Sequence, residues 1–298
     1  MKHDPWRQDP AQYTARYTLE PRYTDVDTLR HLNNSALHGL HQEARMRFLG
    51  ERIGHDFWRG RGTRLQPARS STDFLAESHY PQPLQAAVRV TSLDPRQITL
   101  ATALFQNGRC TGLQSTQLVA LLKGQPCAVP PEWQQALDAP VPAPTADAPT
   151  GEPVLPQRAQ FPVQRHTDSR YGDMEASGRT SELALMRYAE QARSGLLRTV
   201  FEALAMDEVH GQVGTLVARV DLHVHRHVPP PLRWQLGAGI THIGRTSVVL
   251  RCAYFDDEDR CLAHADCVQV FVRRDIGGTV PLPDAVRTLL EQQRVRHA

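Results

Sequence analysis

The sequence predicts an α+β chain made of two copies of one unit, each a long helix with a meander of antiparallel strands. Three observations carry that expectation. A polar turn leading into a helix occurs twice, with Asp25-Val-Asp27 echoed by Asp173-Met-Glu175 and Gln42-Glu43-Ala44-Arg45 by Glu190-Gln191-Ala192-Arg193. Both offsets equal 148 (173−25 and 190−42). Four runs of strand character follow each helix, and a proline-rich stretch separates the copies, with nine of the 22 prolines lying between Pro126 and Pro156. Repeats at a fixed spacing are the strongest organisational signal a single sequence offers.

Taken in order, residues 13–23 alternate weakly and predict a first strand. From Asn34, Leu37, Leu40, Ala44 and Phe48 recur at helical spacing and share one face. Gly50, Gly54, Gly60 and Gly62 end that helix in a loop. Strands are expected at 71–78, 85–94, 97–106 and 109–122, with Asn107-Gly108 as the hairpin turn between the last two. Pro-Glu-Trp-Gln-Gln-Ala-Leu adds one helical turn or two before the linker. In the second copy, a short strand at 164–168 precedes a helix through Leu185, Tyr188, Ala192, Leu196 and Val200. Strands are then expected at 215–227, 232–244, 246–256 and 260–273, with a closing helix from 283 to 294. Later echoes agree: Phe105…Arg109-Cys110 matches Phe255…Arg260-Cys261. The expected domains are therefore 1–137 and 158–298, joined by a Pro/Ala-rich linker at 138–157. A sheet that curls around a helix buries the helix's apolar stripe, and two such copies in tandem make a pseudo-dimer within one chain.

Composition narrows the function classes. At 298 residues the chain suits two domains, and 40% hydrophobic with 22% charged residues is ordinary for a globular protein. A net charge of +2 gives no reason to expect nucleic acid or a membrane surface as partner. Five cysteines with no CxxC pair argue against a disulfide framework or zinc ribbon. The start, Met1-Lys-His-Asp-Pro-Trp-Arg, carries no apolar run, and no stretch of about 18 apolar residues occurs, so a cytoplasmic protein without membrane insertion is expected.

The segment from Tyr23 to Asn34 crowds Asp25, Asp27, His31, Asn33 and Asn34 into one turn before a helix. Two readings stand side by side. Asp, Asn and Ser cap helices, so the cluster is a helix start. The same place offers unpaired backbone N–H groups and a positive dipole end, which carbonyl chemistry can use.

Asp25-x-Asp27…His31-x-Asn33-Asn34 followed by Glu43-Ala44-Arg45 resembles the signature of hotdog-fold thioesterases of the 4-hydroxybenzoyl-CoA thioesterase type. It is also similar to the Asp-x-Asp…His-x-Asn-Asn stretch of acyl-carrier-protein thioesterases, which are tandem hotdogs. The motif covers about 25 residues, and the repeat extends the likeness over most of both halves. The resemblance implies two tandem hotdog domains and hydrolysis of an acyl-CoA or acyl-carrier-protein thioester, a step of fatty acid metabolism, without metal or cofactor. It implies Asp27 as the catalytic carboxylate, either attacking the thioester carbonyl or acting as base for water. A thiolate is a good leaving group and needs little acid help. Backbone N–H groups at the start of the helix would hold the oxyanion. His31, Asn33 and Asn34 would shape the turn or contact substrate.

The chain departs from the pattern in places. Arg30 stands where the family has glycine, and Leu37 where it has tyrosine. The second copy keeps the glycine as Gly178 but carries Arg179 for the histidine and Ser181-Glu182 for the two asparagines. Its carboxylate is Glu175, a second catalytic candidate with a structural role as the alternative. Arg179 is a substrate-binding candidate on the same alignment. Glu43 is a third candidate, since a helix glutamate is the base in some hotdog thioesterases; the alternative is a salt bridge with Arg45 or Arg47, and likewise for Glu190 with Arg193 or Arg187.

His223, His225 and His227 alternate along one strand beside Arg219 and Asp221, opposite an apolar face of Leu216, Ala218, Val220, Leu222 and Val224. That spacing suits a metal or, alternatively, the wet face of a half-buried strand. Arg61, Arg64, Arg69 and Arg89 could meet coenzyme A phosphates or an acidic carrier protein. The reading that results is a metal-free acyl thioester hydrolase that could assemble as a homo-oligomer of the tandem unit. The alternatives are a non-catalytic acyl-CoA-binding hotdog protein and, behind it, a hotdog dehydratase or hydratase, for which no His…Pro-Gly…Glu or Asp-x-Asn-x-x-His segment is present.

Overall fold

The computed structural model describes residues 4–137, 154–202, 213–227, 229–273 and 278–296. Most of the expected linker, 138–153, lies outside the described residues. The chain divides into two compact units: residues 1–153 together with 175–183, and residues 154–174 together with 184–298.

In the first unit β1 (Ala15–Leu19) is followed by α1 (Asn34–Ile53), the short α2 (Asp56–Arg59), and strands β2 (Arg64–Phe74), β3 (Leu84–Leu93), β4 (Gln97–Gln106) and β5 (Arg109–Leu122). The two-residue β6 (Gln125–Pro126) and α3 (Pro131–Leu137) complete it. The strands run antiparallel in the order β1-β3-β4-β5-β2, with β6 on β5. Asn107 and Gly108 take φ of 51° and 76°, the left-handed pair that a two-residue hairpin between β4 and β5 requires. α1 stops at Gly54, whose φ of 75° only glycine adopts without strain.

One strand differs from expectation. The run expected at 71–78 is β2, at 64–74. Its first half, Arg64 to Ser70, is polar and contains Pro67, which hides the strand from pattern reading. A bulge between Pro67 and Arg69 absorbs the proline, which cannot donate to a ladder. The first strand is also shorter than 13–23, because Tyr23–Asp25 turns into a 3-10 helix.

The second unit repeats the plan. β7 (Val163–Asp168), α4 (Glu182–Glu202, its first two residues counted with the first unit), β8 (Val213–Val224), β9 (Arg233–Ile243), β10 (Ser247–Phe255), β11 (Cys261–Arg273) and α5 (Asp284–Gln292) follow in order. The strand order β7-β9-β10-β11-β8 matches that of the first unit strand for strand. The stripe of Leu185, Tyr188, Ala192, Leu196 and Val200 is buried. It faces the sheet: the Tyr254 hydroxyl donates to the Leu185 carbonyl at 2.9 Å, and the Tyr188 and Trp234 rings lie 5.8 Å apart. Each unit is thus a helix cupped by an antiparallel sheet, the hotdog arrangement, present twice in tandem.

On β8 a bulge opposite Val268 and Gln269 shifts the alternation. Val217, rather than Leu216 or Ala218, is buried on the apolar face, so the expected stripe holds only from Val220 onward.

Candidate functional site

Both motif turns have the same backbone. In the first, the Asp27 N–H donates to the His31 carbonyl at 3.0 Å and the Arg30 N–H to the Asp27 carbonyl at 3.0 Å. In the second, the Glu175 N–H donates to the Arg179 carbonyl and the Gly178 N–H to the Glu175 carbonyl, both at 2.9 Å. Arg30 has φ of 68° and Gly178 of 76°. The turn therefore forces a left-handed residue at that position, and Arg30 takes the glycine conformation at a strain of about 1 kcal/mol or more. The leading aspartate of each motif is structural. Asp25 accepts from the Arg22 N–H at 2.8 Å, and Asp173 from the Arg170 N–H at 3.1 Å and the Tyr188 hydroxyl at 2.6 Å.

Around the first turn, the Asp27 carboxylate accepts from the Leu29 N–H at 2.8 Å and lies 3.5 Å from His31 Nδ1. Asn33 caps α1, its side chain accepting from the Ser35 N–H at 2.7 Å, and Asn34 is the first helical residue. Glu43 stands apart on the exposed face of α1, where it pairs with Arg47 at 2.7 Å.

Beneath α1 the first unit holds a buried polar network that the sequence did not announce. The ladders align Thr102, Gln114 and Thr72 in one row across β4, β5 and β2, and Thr116 with Ser70 in the next. Onto these rows α1 presents His38, His41 and Arg45, all buried. His41 Nδ1 meets the Thr102 hydroxyl at 2.7 Å and His38 Nδ1 the Thr72 hydroxyl at 3.2 Å. Arg45 donates to Thr116 at 2.9 Å, to Gln114 at 3.3 Å and to Glu182. Glu182 also accepts from the Ser70 hydroxyl, 2.5 Å away, and lies 3.6 Å from His38 Nε2. Burial opposes ionisation of Glu182, but the Arg45 guanidinium overrides it, and with His38 and Ser70 holds the carboxyl well below the usual carboxylate range. Burial also keeps the His41 imidazole well below its ordinary pKa, so it is neutral. Of the two arginines offered as partners for Glu43, Arg47 has that role and Arg45 is committed to Glu182.

Through Glu182 the segment 175–183 is anchored in the first unit, and this places Glu175 in a pocket of ≈140 Å³. Glu175 Oε1 accepts from the Gln66 amide at 3.2 Å and from the Ser177 hydroxyl at 2.5 Å. The remaining wall is largely apolar: Met46 and Leu49 of α1, Phe57 and Trp58 of α2, Leu65 of β2 and Leu118 of β5. A second, cationic cleft of ≈310 Å³ adjoins it, with Ser177 lining both. Arg179 lines that cleft with Arg61, Arg64 and Lys123. Among the predicted residues, then, Glu175 and Arg179 share one region, Asp27, His31, Asn33 and Asn34 another, and Glu43 belongs to neither. Gln66, Ser177, Lys123 and Glu182 escaped sequence reasoning. Only Glu182 left a trace there, as the acid standing where the first copy has Asn34.

In the second unit His223, His225 and His264 stack, with ring centroids of His223 and His225 4.6 and 5.0 Å from His264. His225 Nε2 is 2.8 Å from His264 Nδ1, and burial, with His223 next to it, lowers the His225 pKa to about 4. Among the described residues no group of three or more His, Cys, Asp or Glu is arranged to hold a metal ion. All five cysteines are free thiols. No helix among the described residues is long and apolar enough to cross a membrane.

Comparison with known proteins agrees with this architecture. A putative oleoyl thioesterase from Lactobacillus plantarum superposes with a TM-score of 0.68 over 92% of this chain and 99% of its own, at 12% identity. An acyl-ACP thioesterase from Bacteroides thetaiotaomicron gives 0.64 over 86% and 97%, at 11% identity. The 12:0-ACP thioesterase of Umbellularia californica gives 0.65 over 86% and 93%, also at 11%. At such identities the likeness speaks for the fold, which in each case spans both units. No curated protein sequence matches the chain. Residues 21–137 match the family model of the thioesterase-like superfamily, and the fold of the whole chain is a tandem hotdog.

Proposed function

We propose that the chain is an acyl thioester hydrolase whose working carboxylate is Glu175. The observation that carries this is the pocket: of the two motif carboxylates, Glu175 lies in a described cavity with an apolar wall and an amide donor at its carboxylate. The acyl group rests against Met46, Leu49, Phe57, Trp58, Leu65 and Leu118, and its thioester carbonyl meets Glu175 at the rim. Glu175 either attacks the carbonyl carbon, forming an anhydride that water then opens, or takes a proton from water as it attacks; in both routes the thiolate leaves. Gln66 has a second amide hydrogen that can meet the developing oxyanion. The apolar wall suits a hydrophobic acyl group.

A second reading keeps the catalytic role for Asp27, favoured by His31 at 3.5 Å from its carboxylate. A thiol-release assay over a panel of acyl-CoAs separates the two. Glu175→Gln should lower kcat at least about 100-fold and Asp27→Asn far less. The reverse ranking moves the chemistry to Asp27. No release from any acyl-CoA or acyl carrier protein leaves a non-catalytic acyl-CoA-binding module.

A further inference from the structure

We propose that Arg45 and Glu182 are positioning residues: their buried ion pair holds the Glu175 turn where its carboxylate can work. This rests on the assignment of the reaction to Glu175, and it names what keeps that carboxylate in register with its pocket.

The segment that carries Glu175 is gripped at both ends by the first unit. At one end Glu175 accepts from the Gln66 amide at 3.2 Å. At the other, Glu182 accepts from the Ser70 hydroxyl at 2.5 Å and from Arg45. Gln66 and Ser70 both belong to β2, with the bulge at Pro67 and Arg69 between them. Gln66 stands opposite Val119 and Ser70 opposite Thr116, so the two side chains leave opposite faces of the strand. Held through both faces, the segment cannot slide along β2 without breaking one grip or the other. Between the grips the turn is closed by the bond from the Gly178 N–H to the Glu175 carbonyl at 2.9 Å.

Stability alone does not call for an ion pair here. Burying two charges costs about as much as their attraction gains, and an apolar pair of similar size packs as well. What the charges add is direction. Nη1 of Arg45 donates to Thr116 at 2.9 Å and to Gln114 at 3.3 Å, which aims Nη2 of the planar fork at Glu182. The repeat points the same way. The first copy has the uncharged Asn34 at the position equivalent to Glu182, since 182−34 gives the same offset of 148. Of the two motif turns, the one followed by a buried acid is the one whose carboxylate lines the pocket.

The test separates holding from folding. Arg45→Met/Glu182→Leu replaces both charges and strands neither, so the denaturant midpoint should stay near that of the wild type. A misplacement of about 1 Å costs about 100-fold in rate, so kcat for thiol release from acyl-CoA should fall about 10–100-fold, with KM little changed. In a Glu175→Gln background the same pair should add little further loss, because both changes remove one function. Amide exchange read by mass spectrometry needs no turnover. Peptides covering the second turn should exchange at least about tenfold faster in the double variant, while the first turn, closed by the same backbone bonds, stays unchanged as the internal standard. Unchanged kcat in the folded double variant, or a fall in kcat without faster exchange, overturns the positioning role. A loss confined to KM also overturns it, and marks Arg45 as a substrate contact. Faster exchange at the second turn with a harmless Glu175→Gln upholds the clamp and overturns the assignment of the reaction to Glu175. If the double variant does not fold, Arg45→Lys keeps the charge, loses the fork and carries the same readouts, with kcat expected to fall about tenfold.

Discussion

The two motif turns are one backbone carrying two sets of side chains. Asp27 with His31, and Glu175 with Arg179, close the same hydrogen bonds at 2.9–3.0 Å. The helices that follow differ at their first residue: Asn34 in one, the buried Glu182 in the other. Backbone geometry in this duplicated fold is therefore held by a few positions, the leading aspartate and the left-handed residue. The positions between are free to diverge in chemistry. The first turn carries Asp27 and His31, and the second carries Glu175 and Arg179 and is anchored through the buried Glu182.

The sharpest way to break the comparison is at residue 182. Removing one partner of a buried ion pair strands the other, so Glu182→Ala should cost about 3–5 kcal/mol in denaturant unfolding, with Asn34→Ala far less. The pair also sets an acid limit. The folded-state pKa of Glu182 lies below its unfolded value, so its stabilisation is complete above about pH 4.5 and is lost as the pH falls further.

A smaller effect distinguishes the two units. His225, with a pKa lowered to about 4 against about 6.5 unfolded, favours the folded state fully only above pH 6.5. Between pH 6.5 and 4 this contribution drains away, by about 1–2 kcal/mol after allowance for solvent screening. Thermal unfolding followed across that range should show the fall, and His225→Gln should flatten it. The smallest effect tests the shared backbone. Arg30→Gly should raise stability by about 0.5–1 kcal/mol by relieving left-handed strain, and Gly178→Ala should lower it by a similar amount. Equal responses of opposite sign would establish that one turn is present twice.

Much of the fold was legible because it is local and repeated. The Asn107-Gly108 hairpin, the stripe from Leu185 to Val200 and the offset of 148 all lie in short-range pattern. β2 was misplaced because Pro67 and its polar neighbours break alternation exactly where a bulge restores the ladder. The Glu175 pocket was invisible for a different reason. Its wall comes from α1, α2, β2 and β5, and the acid that anchors its turn finds Arg45 across 137 positions. No window on the sequence spans such a pairing. The histidines of β8 show the same limit, since their neighbour His264 enters from β11.

Because Glu182 completes the charge balance beneath α1, the first compact unit is not a continuous stretch of sequence. A gene cut within the proline-rich stretch would encode a first half with Arg45 buried and its counter-charge missing. Separating the halves at that stretch would therefore unbalance the interior of the first compact unit.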